Sequence, residues 1–232
     1  MGSRAYSQIN HSLECAYLSN AMKYDLPEEQ GEVLPNLLGL SDQRSVELAE
    51  AEGFLRAEMT LYDELNDGTT FDLAYLRRMH KLALGHLYGF AGKWRVVNLS
   101  KGGFQFPSAQ FLDATMHTFE EEVLKQLPDT YPDRAALISD IAHVHGELLF
   151  IHPFREGNGR TARLLADMMA QKQGHGKLRW ERVGRKHFEE YVNAVQRAAV
   201  GDHSPMEAII RSVFPDWAPP FSAAPTPRPC ST

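Results

Sequence analysis

His152-Pro-Phe-Arg-Glu-Gly-Asn-Gly-Arg-Thr-Ala-Arg163 joins the two most clearly patterned segments of the chain. Before this stretch, apolar residues from Leu137 to Ile151 recur every three or four positions, as they do on one face of a helix. Pro153 disfavours the helical conformation for His152, so we expect the first helix to end there. A second helical pattern begins near Gly159. The loop between them therefore holds His152 at a helix end, facing whatever the loop binds.

The same loop has the composition of an anion-binding site. Gly157 and Gly159 let the backbone approach a ligand closely and turn its N–H groups toward an anion, and Asn158 adds a side-chain donor. The positive end of the following helix points to the same place. Arg160 and Arg163 share one face of that helix because they are three residues apart. Two guanidinium groups beside such a loop suit several phosphates better than a single carboxylate.

Two further residues of the stretch carry chemistry of their own. Glu156 is an acid in a positive pocket, and an acid among phosphates is best explained by a bound Mg2+, which takes oxygen ligands from protein and phosphate together. His152, if it is neutral near pH 7, can accept a proton from an attacking hydroxyl. The residues thus predict a base, a metal carboxylate and a polyphosphate site, without deciding which phosphorus is attacked.

Helical periodicity dominates the rest of the chain and predicts a mainly all-α fold of about eight helices. The helix near residue 112 is expected to be capped by Ser108. A short β-hairpin is expected between Trp94 and Pro107, where β-prone residues flank the pair Gly102-Gly103. The predicted helices cover about residues 9–23, 43–65, 73–87, 112–127, 137–151, 161–173, 185–200 and 205–214.

The organisation expected from these patterns is one helical domain over residues 1–217, with its core at about 73–206. Prolines crowd residues 218–232, which we predict to be a disordered tail. No internal repeat or linker is visible before residue 217.

Composition excludes several functional classes. The chain has 232 residues with 24 Lys+Arg against 30 Asp+Glu, a formal charge of -6, so the whole molecule is not an electrostatic nucleic-acid binder. Only two cysteines are present, Cys15 and Cys230, which speaks against a disulfide scaffold and thiolate zinc. No apolar run approaches the roughly 20 residues that span a bilayer, and the N-terminus lacks the order of a signal peptide. We expect a cytoplasmic protein without membrane partners, although a specialised secretion system could export it as an effector.

With these residues in view, the stretch 152–163 resembles the signature of Fic-domain proteins: His-Pro-Phe, any residue, Asp or Glu, Gly-Asn-Gly-Arg, two residues, Arg. Every fixed position is met. The resemblance extends upstream to Leu76-x-x-x-His80 and to the turn Tyr88-x-x-Ala-Gly-x-x-Arg95 that precedes the family's flap.

This resemblance implies a fold, an activity and a set of roles. The activity is transfer of AMP from ATP to a Tyr, Thr or Ser hydroxyl of a target protein, self-modification included, with pyrophosphate leaving. His152 would be the base, Glu156 the Mg2+ ligand, and Arg160 and Arg163 the ligands of the β- and γ-phosphates. Gly157, Asn158 and Gly159 would surround the α- and β-phosphates. The hairpin resembles the flap that pairs main chain to main chain with the target; its residues are Val97, Asn98, Leu99, Ser100, Lys101, Gly102, Gly103 and Phe104.

Alternatives to this activity stay open at the level of sequence. The same pocket could transfer UMP, phosphocholine or phosphate, although the intact Gly-Asn-Gly-Arg run favours nucleotidyl transfer. A silent nucleotide-binding module is also conceivable, but pure binding needs no base. Many Fic proteins carry an inhibitory helix with Ser or Thr, three residues, Glu, then Gly or Asn. Glu52-Gly53 matches only its end, so we expect an ordinary exposed glutamate there, with control by a separate antitoxin-like protein left open.

Histidines and aromatic residues also have more than one interpretation. His143, His145 and His152 could suggest zinc, but residues two apart on a helix point in different directions, so zinc is disfavoured. His80 and His145 lie on apolar faces and are expected to be hydrogen-bonded core residues. The aromatic residues of the hairpin region could face a target or pack inward, and the sequence does not decide; they are Trp94, Phe104 and Phe106.

Overall fold

The computed structural model describes residues 33–101, 104–183 and 188–215. Over these residues the chain is mainly helical, with one two-stranded hairpin, which confirms the predicted fold class. The predicted helix at 9–23, the pair Gly102-Gly103 and the tail at 218–232 lie outside the described residues. The helices are α1 (Gln43–Glu64), α2 (Leu73–Leu84), α3 (Leu112–Glu122), α4 (Arg134–Ile151), α5 (Asn158–Lys172), α6 (Phe188–Ala198) and α7 (Ser204–Val213), and the strands are β1 (Ser100–Lys101) and β2 (Phe104–Gln105).

Three of the helices begin at an aspartate that caps them. Asp42 accepts a hydrogen bond from the N–H of Ser45, Asp72 from that of Tyr75, and Asp133 from that of Ala136. Each cap satisfies one N–H group that the first helical turn leaves without a partner, which is worth about 1 kcal/mol. These caps explain why α1, α2 and α4 begin where they do.

Helix α4 lies at the centre of the fold. Helices α5, α6 and α7 all pack against it, so most of its length is buried and its sequence is apolar nearly all round. Gly146 allows α6 to approach closely, because a Cβ there would stand 3.1 Å from the Cβ of Ala198. On the other side of the site, α1 packs against α2 and contacts α5. The loop after α4 is therefore held between helices from both ends of the described chain.

The predicted helix over 112–127 is wrong in detail. A 3-10 turn (Ala109–Phe111) precedes α3, and a second one (Leu124–Gln126) follows it. Ser108 makes no capping bond with its side chain, because Asn98 occupies that role by accepting from the N–H of Ala109 at 2.8 Å. Leu127 is extended, at ψ 127°, as the following Pro128 requires.

None of the described helices combines the length and apolar character needed to cross a membrane. The predicted domain limits, 1–217 and 218–232, reach beyond the described residues and stay predictions.

Candidate active site

His152 ends α4 in a left-handed backbone conformation, with φ 53° and ψ 58°. It is the sole non-glycine residue with positive φ in the part of the chain that the structure describes. The helix thus ends where the sequence predicted, but the residue before Pro153 is left-handed and not extended. Such a conformation costs a side-chain-bearing residue about 1 kcal/mol, and strain of this kind concentrates at functional sites.

The imidazole of His152 is fixed in one tautomer. Its Nδ1 lies 2.8 Å from the carbonyl oxygen of Leu149. A carbonyl can only accept, so Nδ1 carries the proton and Nε2 keeps a lone pair. The residue is 7% exposed, and its ring stacks on Phe106 at 3.9 Å between centroids. Burial lowers the pKa of His152 to about 3, with the charges of Lys101 and Arg95 acting in the same direction, so the imidazole is neutral at pH 7.

Arg95 connects the flap to the histidine. Its buried guanidinium donates to the carbonyl oxygens of Val97 (2.8 Å) and Pro107 (2.5 Å), one on each side of the hairpin. It also donates to the carbonyl of His152 at 2.8 Å, and its own N–H donates to the carbonyl of Pro153 at 2.8 Å. One side chain therefore fixes both ends of the flap relative to the proposed base.

The loop after His152 is held by a side chain that the sequence had assigned to a ligand. Asn158 accepts from the N–H of Phe154 at 2.8 Å and donates to its carbonyl at 2.7 Å, and the amide is almost fully buried. The predicted side-chain donation from Asn158 toward an anion is thus not what the structure shows. The amide closes the loop because Phe154, which is fully buried, brings its own backbone polar groups into the core.

His80 is the partner that positions Phe154 and Glu156. Its ring stacks on Phe154 at 3.8 Å, accepts at Nδ1 from the N–H of Gly92 and donates from Nε2 to the carbonyl of Glu156, both at 2.9 Å. His80 is a fully satisfied core histidine, as predicted, but it supports the site directly. Burial lowers its pKa to about 4, which agrees with a neutral ring that accepts at one nitrogen.

Gly157 forms the entrance to α5, at φ 77°. A Cβ at this position would lie 2.8 Å from Leu84 Cδ1, so both its conformation and its surroundings require glycine. A Cβ at Gly159 would meet nothing within 4 Å. The two glycines therefore have different roles: the first makes the turn, and the second keeps the helix entrance open for a close approach.

The Glu156 side chain points to the same entrance. Its Oε1 accepts from the N–H of Gly157 at 2.7 Å and lies 3.4 Å from a guanidinium nitrogen of Arg160. Among the described residues no partner binds Oε2, and the side chain is 22% exposed. Burial, and after it the charge of Glu50, raises the pKa of Glu156. A carboxylate with one oxygen held and one available is suited to bind a divalent cation that also takes phosphate oxygens.

Arg160 has a partner that the sequence did not reveal. It donates to Glu50 on α1 at 2.8 Å, and Glu50 also accepts from the hydroxyl of Tyr88 at 2.7 Å. Glu50 is buried and stands on the buried stripe of α1, among apolar and small residues. A single acid on such a stripe was the available signal, because a buried charge needs a partner.

Arg163 and Lys101 add positive charge beside this cluster. Among the described residues no hydrogen bond or ion pair engages Arg163. Burial lowers the pKa of Lys101; the Arg163 charge acts in the same direction and the Glu156 charge in the opposite one, so this flap lysine lies within electrostatic reach of both. The two predicted phosphate-binding arginines therefore differ, since Arg160 is ion-paired and Arg163 is not.

The flap is a short antiparallel hairpin in which Ser100 faces Gln105 and Lys101 faces Phe104. Its aromatic residues pack inward. The ring of Phe104 packs edge-on against that of Phe150, with 6.2 Å between the ring centroids, and Phe106 stacks on His152. Trp94 packs against Phe154 at 5.1 Å between ring centroids. The question that the sequence left open is thereby decided for these three side chains in favour of packing against the site.

Two other sequence alternatives are not supported by the geometry. Glu52 is 74% exposed and lies 3.6 Å from Arg56, so it is the ordinary surface glutamate expected. His145 bonds the carbonyl of Ala162 and the hydroxyl of Tyr191, whereas His152 bonds Leu149. These directions diverge, so His143, His145 and His152 do not form a zinc site.

Comparisons with known proteins agree with this geometry. A family model described as Fic/DOC family matches residues 70–170. The chain is 29% identical over 179 residues to protein adenylyltransferase VbhT of Bartonella schoenbuchensis, covering 77% of the chain but 36% of that protein. It is 28% identical over 196 residues to a Sinorhizobium fredii protein named probable protein adenylyltransferase y4lH, covering 84% of the chain and 98% of that protein.

A solved structure has the same fold. The BepC protein of Bartonella tribocorum, a VirB-translocated effector with bound AMPPNP, superimposes with a TM-score of 0.67 at 17% identity, over 82% of this chain and 96% of that one. At this identity the likeness concerns the fold alone.

Proposed function

We propose, since residues 70–170 of the chain are a Fic/DOC-family domain, that the protein is an adenylyltransferase that transfers AMP from ATP to a hydroxyl side chain of a target protein. The observation that carries the proposal is the imidazole of His152. It is neutral, its Nδ1 proton is held by Leu149 so that Nε2 carries the lone pair, and its ring stacks on Phe106 just after strand β2 of the flap. This is the arrangement that a general base needs.

In this proposal Nε2 of His152 takes the proton of a Tyr, Thr or Ser hydroxyl. The hydroxyl oxygen forms a bond to the α-phosphorus of ATP, the bond to the β-phosphate bridging oxygen breaks, and pyrophosphate leaves. The neutral tautomer supports this role because Nδ1 cannot take the proton while it donates to Leu149. Backbone N–H groups around Gly157 and Gly159 and the positive end of α5 would hold the phosphates.

The positively charged side chains near the entrance of α5 would each interact with the phosphates in a different way. Arg163 has no ion-pair partner among the described residues and would bind the terminal phosphates directly. Arg160 is already paired with Glu50 and Glu156, so it would meet a phosphate from a fixed position. Lys101 brings a further positive charge from the flap.

Glu156 would hold the Mg2+ that accompanies ATP. The available Oε2 of Glu156 fits the preference of Mg2+ for one or two carboxylates together with substrate phosphates. When bound, the ion would neutralise charge on the departing pyrophosphate.

The flap residues 97–104 would bind the target by main-chain pairing. Strand β1 has one edge paired with β2, and a peptide could add along the other edge. AMP is preferred over UMP, phosphocholine or phosphate because the two relatives compared above are named protein adenylyltransferase and probable protein adenylyltransferase. The exposed position of Glu52 supports control by a separate inhibitor, or no such control, over an inhibitory role for Glu52.

We also propose that the protein acts in the cytoplasm of a cell and binds neither nucleic acid nor membrane. The fold that it shares with a translocated effector keeps export into a host cell open as a setting for the same reaction.

The experiment is incubation of the full chain with ATP labelled at the α-phosphate, Mg2+ and a cell lysate. We expect label on a target or on the protein itself, and its loss in His152→Ala. Mass spectrometry of the labelled protein then identifies the group, since AMP, UMP, phosphocholine and phosphate add different masses. Absence of label on every protein, with no effect of His152→Ala, would reject the activity.

Arg163→Ala separates binding from chemistry in the same assay. We expect it to weaken ATP binding at least about tenfold while the circular dichroism spectrum is unchanged, because a charge-assisted contact worth about 1.5–3 kcal/mol is removed from a side chain that no described residue holds. Arg211→Ala, an exposed arginine on α7, is the matched control and should bind ATP as the wild type does.

A further inference from the structure

A second group of potential metal ligands lies on the side of α4 that faces α7. His143 and Glu147 are four residues apart on α4 and therefore share a face of the helix. His203 reaches them from the turn between α6 and α7. One ligand atom from each of the three side chains lies within 4.8 Å of the others. None of the three belongs to the site around His152 and Glu156.

The distances are close to those of a bound ion. Nε2 of His203 is 3.6 Å from Oε1 of Glu147, and the rings of His143 and His203 are 4.3 Å apart at 45°. Nitrogen and oxygen ligands of tetrahedral zinc, at about 2.0–2.2 Å from the ion, stand roughly 3.3–3.6 Å from one another. One pair already has this spacing, and since all three ligand atoms lie within 4.8 Å of one another, a shift of the remaining side chain by about 1 Å would complete the set.

The backbone around His203 is built to keep the ring in this position. Asp202 accepts from Arg197 at 2.6 Å and from the N–H and hydroxyl of Ser204, which fixes the turn on both sides of His203. Gly146 makes room on α4, since a Cβ there would approach His203 Nδ1 to 3.5 Å. The turn and the glycine together hold the imidazole beside Glu147.

No other described interaction accounts for the His203 ring. Its Nε2, the nitrogen that faces Glu147, makes no hydrogen bond that satisfies it in the described part of the chain. Its contact with Glu147 is longer than a hydrogen bond. Glu147 and His203 are each about a quarter exposed, so an ion in solution can reach them.

We propose that His143, Glu147 and His203 form a binding site for zinc or a similar divalent transition metal, with a water molecule as the fourth ligand. Imidazole nitrogens with one carboxylate suit zinc and disfavour Mg2+, which takes oxygen ligands. The ion joins the second half of α4, the helix that ends at His152, to the turn that begins α7. This site is independent of the Mg2+ proposed at Glu156.

The test uses the full chain without an affinity tag, freed of metal by dialysis against EDTA. After addition of zinc and gel filtration in chelator-free buffer, we expect one bound equivalent and a raised melting temperature. Millimolar Mg2+ should neither displace the zinc nor reproduce the shift. Cobalt in place of zinc should give the intense visible absorption of a tetrahedral site.

Substitution of single ligands then locates the ion. His143→Asn and His203→Asn should each weaken zinc binding at least about tenfold, since one of three protein ligands is lost. Glu147→Gln, which keeps the side-chain shape, should do the same if either histidine variant fails to fold. His117→Asn is the matched control, because His117 lies beside Glu120 and Glu121 in the other group of candidate ligands among the described residues.

Two results would overturn the proposal. One is a wild-type protein that retains no zinc through gel filtration. The other is retention of the ion with unchanged affinity by all three of His143→Asn, His203→Asn and Glu147→Gln, or its loss in His117→Asn alone.

Discussion

Arg160 in the signature stretch donates a hydrogen bond at 2.8 Å to Glu50, which precedes it by 110 residues. Both side chains are nearly buried, 11% and 8% exposed. The pair joins α1 to the first turn of α5, so the anion site depends on a helix outside the signature. Since Tyr88 and Arg160 donate to different oxygens of Glu50, its carboxylate is satisfied on both sides.

Breaking this pair from either side should be costly. Glu50→Gln leaves the buried Arg160 with only the longer contact to Glu156, and Arg160→Gln leaves Glu50 without a cation. We expect each to reduce the free energy of unfolding by about 3–5 kcal/mol. The double variant removes both charges and should lose little more than one single variant does. Urea unfolding of the three variants measures the coupling as a double-mutant cycle.

The control is Glu52→Gln, two residues away on the exposed side of α1. Its single surface ion pair predicts a change within about 0.5 kcal/mol. Losses that add up in the double variant would show that Glu50 and Arg160 do not stabilise one another.

The two glycines at the entrance of α5 should respond in opposite ways to alanine. Gly157→Ala imposes a left-handed conformation on a side-chain-bearing residue and places its Cβ 2.8 Å from Leu84, so we expect a loss of about 2–4 kcal/mol in unfolding free energy. Gly159→Ala meets nothing within 4 Å and should fold as well as the wild type or slightly better. Thermal unfolding followed by circular dichroism distinguishes the two.

Binding of ATP gives the second half of this prediction. Gly159→Ala should bind ATP at least about tenfold more weakly, because its methyl group stands where the phosphates are proposed to approach the backbone. A folded Gly159→Ala protein with wild-type ATP affinity would contradict the placement of the phosphates at this helix entrance.

How far the sequence predicts this site depends on the range of the interactions. The loop at 152–159 is local, so Pro153, the glycines and the arginines of one twelve-residue stretch were enough to predict the end of α4 and the start of α5, but not the left-handed conformation of His152. Glu50, Arg95 and His80 lie 57 to 110 residues from the residues of the signature stretch that they bond. Periodicity carries no information on which helix faces meet over such separations. Asn158 was assigned to a ligand because its amide can donate either to a bound anion or to a backbone carbonyl of its own loop, such as that of Phe154. Packing of Phe154 decides between them.

Three buried histidines predict a specific pH dependence of stability. Burial lowers the pKa of His80 to about 4 and those of His145 and His152 to about 3. As the pH falls below 6.5, these histidines are protonated in the unfolded chain but stay neutral in the folded protein. The free energy of unfolding therefore falls as the pH falls. The loss is on the order of 1 kcal/mol per histidine for each pH unit.

Asp167 acts in the opposite direction over part of this range. Burial raises its pKa to about 7, so the folded protein binds a proton there that the unfolded chain releases above pH 4, and lowering the pH from 7 stabilises the fold. We therefore expect a steeper decline of stability between pH 6.5 and 5.5 in Asp167→Asn than in the wild type, measured by urea unfolding. If the free energy of unfolding fell equally steeply in both proteins, Asp167 would be ionised in the folded state. If it did not change with pH in Asp167→Asn, the histidines would already be protonated in the folded state.

Arg95 is predicted to set the position of the flap without affecting the affinity for ATP. Its guanidinium donates to Val97 and Pro107 at the two ends of the hairpin and to the carbonyl of His152, through a planar fork that lysine cannot reproduce. Arg95→Lys should therefore keep the charge and lose most of these bonds. We expect faster hydrogen exchange of backbone amides at 97–107 and slower transfer of AMP to protein, with ATP affinity within about threefold of the wild type.

The control for Arg95→Lys is Arg77→Lys, because Arg77 makes one exposed backbone bond, to Gly92 at 2.9 Å, on the neighbouring turn. It should leave exchange in the flap unchanged. If Arg95→Lys weakened ATP binding as strongly as it slowed transfer, the arginine would act on the nucleotide site as a whole. If instead transfer fell while ATP affinity held, the loss would lie in the position of the target relative to His152, since the same guanidinium sets the ends of the flap and the carbonyl of the proposed base.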